Sequence, residues 1–317
     1  YGYGNEIDDM KWLIVDVGIT FGDDTTPGVD VILPDHEFIK ERNYPNDPVG
    51  KIEDHTIESD QGSVSIRIFW PIKKPQKKLP IFIFFHGGGF VMGSVESREP
   101  QCRKIANEVG CIVVAPRYRL APEYKFPTAH DDAWNTVIWV LNNTSRLEGD
   151  STRISIGGDS AGGNLAAAVT QQASNNNIYN FALQILIYPW TDFYLALNLP
   201  SYNLLDQPYF LTREQISWYQ KQYIPEFQHK IDTRHSPALS KNISNPPRTL
   251  IITAEFDPLR DDGKNYGYIL KNAGGVVKYR CYNGMIHGFF HYGALIDSAT
   301  LALLQICLLY TSDAADE

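Results

Sequence analysis

The chain has 317 residues, 43% of them apolar and 21% charged, with 24 Gly and 19 Pro. These figures exclude collagen and low-complexity sequence and leave a globular protein able to bury a sizeable core. A net charge of −9, from 28 basic and 37 acidic residues, argues against a nucleic-acid partner, whose binding face is basic.

Tyr1 opens the chain without a Met, so a processed or shortened N-terminus is expected. Residues 1–50 are rich in Asp, Pro and aromatics and read as loops and short helices packed on something else. From Asp54 to Trp70, Ile57, Val64, Ile66 and Ile68 fall in alternating runs about a Gln61-Gly62 turn, a β-hairpin signal. Lys73 to Lys78 reads as a solvated loop. Leu79 to Phe85 is continuously apolar, as in a strand buried on both faces. Strands then alternate with helices. The strands are Cys111–Ala115, Arg153–Gly157, Ala182–Tyr188, Thr249–Thr253 and Val276–Cys281. The helices are Ser97–Glu108, Pro127–Leu141, Ala161–Ser174 and Asp261–Asn272. This alternation predicts an α/β fold with a mostly parallel sheet, helices on both faces, and a site at the carboxyl ends of the strands. The aromatic-rich segment 191–246 is too long for a plain connection and predicts a lid or inserted cap.

Cys102, Cys111, Cys281 and Cys307 show no CxxC spacing. They read as buried thiols of a reducing compartment, which favours the cytoplasm and gives no metal site. The apolar stretch Ala294 to Tyr310 contains Asp297 and Gln305. It falls short of about 18 uninterrupted apolar residues, so no membrane span is expected. Residues 307–317 match, position by position, the translation of a transposon-end sequencing adapter and are expected to be non-native.

The chemistry is carried by four stretches. Gly158-Asp159-Ser160-Ala161-Gly162-Gly163 follows a strand and opens a helix. Gly-x-Ser-x-Gly in that setting is a nucleophile elbow, a turn so tight that its flanks must lack side chains. His86-Gly87-Gly88-Gly89-Phe90 follows the apolar strand. Consecutive glycines leave backbone N–H groups uncovered for an oxyanion. Gly87 and Gly88 are the expected donors, joined by the N–H of Ala161, while His86 braces the loop. A phosphate loop of Gly-x-Gly-x-x-Gly type fails because Met92 stands where the third Gly belongs. The general base is expected in a loop after the last strand, which selects His287 over His291, a packing or surface residue of the next helical segment. Asp257, just past a strand end, is the expected acid. Asp261 and Asp262 are alternatives, though they fall in a first helical turn where acids suit the dipole. Arg117, Arg119 and Glu123 predict a buried ion-pair network beside Pro127.

These stretches, with Tyr118 to Tyr124, resemble the hormone-sensitive-lipase-like group of α/β-hydrolases, the Gly-Asp-Ser-Ala-Gly esterases that include arylacetamide-deacetylase-like enzymes. The match runs from Phe85 to Phe289 in the family's order. It implies an α/β-hydrolase fold with a central sheet of about eight strands and a helical cap. Residues 1–50 would give one cap segment and 191–246 another, set in a catalytic domain of 51–306. It also implies hydrolysis of small carboxylic esters with short to medium acyl chains through an acyl-enzyme, without metal or cofactor. Two other functions share the fold. An amidase or formamidase would use the same triad. A plant hormone receptor binds its ligand on this scaffold with the catalytic His replaced, whereas Ser160, Asp257 and His287 are all present here.

Overall fold

The computed structural model describes residues 42–74, 78–194, 198–205, 210–225 and 232–312. Residues 1–41 of the expected N-terminal segment therefore lie outside the described residues. The expected hairpin forms as β1 (Lys51–Ile57) and β2 (Val64–Trp70), paired antiparallel. The Gly62 N–H closes the turn on the Ser59 carbonyl at 3.0 Å.

Strands and helices then alternate. They are β3 (Leu79–Phe85), α1 (Val95–Val109), β4 (Ile112–Arg117), α2 (Thr128–Asn143), β5 (Gly149–Asp159), α3 (Ala161–Asn175) and β6 (Leu183–Ile187). After an insertion carrying α4 (Pro200–Leu204) and α5 (Arg213–Tyr223) come β7 (Arg248–Phe256), α6 (Arg260–Asn272), β8 (Val277–Ile286) and α7 (Asp297–Ser312). The eight strands form one sheet in the order β1-β2-β4-β3-β5-β6-β7-β8. Only the β1–β2 and β2–β4 pairs are antiparallel.

Strand β3 shows why the sheet is covered on both sides. Ile81, Ile83 and Phe85 point into one hydrophobic cluster with residues of α2, α3 and α6. Phe82 and Phe84 point into the other, with residues of α1 and α7. Alternate side chains of a strand face opposite ways, so a strand apolar throughout needs two cores. Each such side chain contributes about 1.5–3 kcal/mol on burial. Chain order reverses around β3, which lies between β4 and β5. Open α/β sheets place their ligands at the carboxyl ends beside such a reversal.

Element ends differ modestly from the sequence reading. Helix α1 starts at Val95 because Ser94 caps it: the Ser94 Oγ accepts from the Ser97 N–H at 3.2 Å. Strand β8 continues past Cys281 to Ile286, so its end delivers His287 directly. Helix α7 runs through Cys307 to Ser312. No helix among the described residues is long and apolar enough to cross a membrane.

The insertion between β6 and β7 is clasped at its root by Asn164 of α3. The Asn164 Nδ2 donates to the carbonyls of Trp190 at 2.7 Å and His235 at 2.8 Å. Its Oδ1 accepts from His130 Nε2 at 2.9 Å. Burial pushes the His130 imidazole down to about 3, so it is neutral at pH 7 and its Nδ1 accepts from the Tyr223 hydroxyl at 2.8 Å. Tyr223, at the end of α5, stacks on Phe90 with ring centroids 4.2 Å apart.

Candidate active site

Ser160 sits between the last residue of β5 and the first of α3 with φ 55° and ψ −118°. A non-Gly residue with positive φ stores strain, on the order of 1–3 kcal/mol, and persists where its surroundings over-determine it. Here the Ser160 N–H donates to the Ile187 carbonyl at 2.8 Å, and its carbonyl accepts from the Asn164 N–H at 3.1 Å. The elbow also needs close approach of backbones. A Cβ on Gly162 would lie 2.0 Å from the Phe85 carbonyl oxygen. Gly162→Ala is therefore expected to cost at least about 3 kcal/mol, the top of the ordinary overpacking range, because the obstacle is backbone. Thermal unfolding of the variant checks this.

The Ser160 hydroxyl donates to His287 Nε2 at 3.0 Å, and His287 Nδ1 donates to Asp257 Oδ2 at 2.8 Å. Asp257 is fully buried and its other oxygen accepts the Leu259 N–H at 2.8 Å. The Tyr188 ring lies beside the imidazole, with centroids 4.6 Å apart. The alternative acids are engaged elsewhere. Asp261 accepts from the Ser201 N–H at 2.9 Å and from Arg260 Nε at 2.9 Å. Asp262 accepts from the Thr191 N–H at 2.7 Å and its hydroxyl at 2.6 Å.

The glycine loop corrects one expectation. The Gly87 N–H donates to Asp159 Oδ1 at 2.9 Å, so it is committed within the protein and is not free for an oxyanion. The N–H groups of Gly88, Gly89 and Ala161 have no acceptor among the described residues. Gly88 has φ +127°, which turns the chain here, and a side chain at that position would meet the Met92 carbonyl. His86 touches none of the triad: its Nδ1 donates to the Gly87 carbonyl at 2.8 Å, and its ring stacks on Tyr118 at 4.2 Å. Burial lowers the His86 imidazole to about 4.

His291 falls in the expected helical segment, a short 3-10 helix over Phe289–His291, and its Nε2 is 3.0 Å from Asp159 Oδ2. Burial lowers its imidazole to about 4, so the neutral ring donates that proton. Glu123 is exposed and outside the arginine network. Arg119 instead pairs with the fully buried Asp132 of α2 at 2.7 Å, and Arg117 with Glu96 at 2.6 Å. Sequence reasoning also missed Arg98, whose Nη2 reaches Asp159 Oδ2 at 3.1 Å and whose Nε reaches Oδ1 at 3.2 Å. Burial works to raise the Asp159 carboxyl, but the Arg98 charge and the His291 bond hold it well below the usual carboxylate range.

A buried Ser–His–Asp relay above a parallel sheet defines a serine hydrolase of the α/β-hydrolase class. A family model described as alpha/beta hydrolase fold matches residues 82–291. The chain belongs to this family, in its hormone-sensitive-lipase-like branch, and is a carboxylic ester hydrolase. An arylesterase of Saccharolobus solfataricus is 37% identical over 246 residues, 77% of this chain and 79% of its own length. An ethyl acetate hydrolase of Pseudomonas putida is 33% identical over 258 residues, 80% of each chain. The solved structure of a hyperthermophilic esterase from the archaeon Pyrobaculum calidifontis superposes with a TM-score of 0.81 at 37% identity, covering 87% of this chain and 89% of that one.

Proposed function

We propose that the chain hydrolyses carboxylic esters of short to medium acyl chain through an acyl-enzyme on Ser160. The observation that carries this is the unbroken relay from Ser160 Oγ to His287 Nε2 and from His287 Nδ1 to Asp257 Oδ2. Ser160 Oγ bonds to the ester carbonyl carbon and its proton passes to His287 Nε2. The carbonyl oxygen takes the charge, held by the N–H groups of Gly88, Gly89 and Ala161. Collapse breaks the C–O bond, and His287 gives its proton to the departing alcohol. Water then attacks the acyl carbon, losing its proton to His287, and Ser160 leaves with that proton. Asp257 stabilises the imidazolium throughout.

The inserted segment supports a small substrate. A Cβ on Gly89 would lie 2.4 Å from the Tyr219 ring of α5, so that ring covers the glycine loop. Phe210 approaches Gly288, beside the catalytic imidazole, in the same way at 3.3 Å. An aromatic-walled pocket rewards each added CH₂ by about 0.8 kcal/mol until its wall is reached. The ethyl acetate hydrolase among the relatives acts, by its name, on a two-carbon acyl group. In a nitrophenyl ester series from acetyl to palmitoyl, kcat/KM is expected to peak at roughly two to eight carbons and then fall. A continuous rise to palmitoyl, with a jump at the critical micelle concentration, would refute the small pocket. Faster cleavage of the matching anilide would favour an amidase.

A further inference from the structure

Three loops must be held in register for the proposed acyl transfer: the glycine loop after β3, the elbow after β5 and the His287 loop after β8. One buried carboxylate touches all of them. Asp159 precedes Ser160 in the chain. It accepts the N–H of Gly87, next to the free donor Gly88, at 2.9 Å. It accepts from His291, at the end of the turn that follows His287, at 3.0 Å. The fit is close, since a Cβ on Gly87 would lie 2.4 Å from Asp159 Oδ2. A buried carboxylate needs a counter-charge to remain ionised. Arg98 of α1 supplies it through both Nε and Nη2, with its side chain 9% exposed against 1% for Asp159.

We infer that Arg98, acting through Asp159, is a positioning residue that sets the oxyanion donors against Ser160. This rests on the serine-esterase reading above. The ion pair does not touch substrate. It fixes Gly87, and with it the direction in which the Gly88 and Gly89 N–H groups point. Misplacing such donors weakens binding of the transition state more than binding of the substrate.

The test measures kcat per active site, with sites counted by phosphonate titration, alongside KM and the Ki of an acyl trifluoromethyl ketone. Arg98→Met is expected to lower kcat by about 10–100-fold, less than loss of a whole oxyanion donor. KM should stay within about threefold, and Ki should rise in step with the kcat loss. Arg98→Met with Asp159→Asn should recover kcat above either single variant. The neutral amide still accepts the Gly87 N–H and no longer needs a counter-charge. Arg98→Lys keeps the charge but loses the two-point grip, and is expected to fall a few-fold in kcat with Ki following; it decides the matter if Arg98→Met does not fold. Wild-type kcat and Ki per titrated site in the single variants, with only a lower Tm, would overturn the inference and leave Arg98 a structural brace. Failure of the wild type to react with phosphonate would instead strike the serine-esterase reading itself.

Discussion

Ser160→Ala is expected to lower turnover on a nitrophenyl ester by on the order of 10⁶, the scale on which serine-protease triads lose activity when the nucleophile is removed. The variant keeps everything except the reacting atom. Its backbone is still held by the Ile187 carbonyl and the Asn164 N–H. His287 remains bonded to Asp257, and the free N–H groups still offer an oxyanion site to a carbonyl attacked by water. A residual rate of about 10³–10⁴ over water is therefore expected, from the oxyanion site and binding alone. A fluorophosphonate should label the wild type and leave the variant unlabelled. Persistent labelling would mean that another nucleophile does the chemistry.

The second large effect is that of Asp257→Asn, a fall in kcat of about 10⁴ with the fold intact. The geometry dictates how the amide sits. The Leu259 N–H donates to Asp257 Oδ1, so the amide oxygen of the variant takes that place. Its NH₂ then faces His287 Nδ1, where the carboxylate accepts a proton now. Two donors cannot face each other, so the imidazole must move its proton to Nε2. It then has no lone pair for the Ser160 hydroxyl. Asp261→Asn should be far milder, because that carboxylate anchors Ser201 at the start of α4. The same ester assay and thermal melts on both variants check the ranking, and a reversed order would move the acid to Asp261.

Much of this was legible in the sequence because local chemistry enforced it. A strand apolar from Leu79 to Phe85 has to be buried on both sides. A turn flanked by Gly158 and Gly162 has to be an elbow, since no side chain fits against the Phe85 carbonyl. His287 is legible because the order nucleophile, acid, base puts the base just after the last strand of such a sheet. What escaped depended on partners distant in sequence. Which glycine N–H groups remain free is set by the Asp159 carboxylate, 72 positions from Gly87. The place of His291 is set by the same carboxylate across 132 positions. Arg119 had an acid at Glu123 close by in the sequence, but the backbone sends that one to solvent and brings Asp132 from the inner face of α2. Alternation and spacing report periodicity within an element; they carry no sign of which carboxylate a distant arginine will meet.

The Asn164 clasp has an engineering consequence. One amide grips the chain at Trp190, where it leaves the sheet, and at His235, where it returns. Both ends of the inserted loop are thus held by a group that lies outside it. Closing such a loop becomes harder only slowly with size, by about 0.6 kcal/mol for each doubling in length. A segment of another length grafted between these points would keep that closure but would have to replace the bonds that Thr191, Ser201 and Tyr223 make to Asp262, Asp261 and His130. Asn164 thus marks where substrate-covering chain can be exchanged, while Tyr219 and Phe210 tie the content of that chain to the glycine loop and the catalytic imidazole.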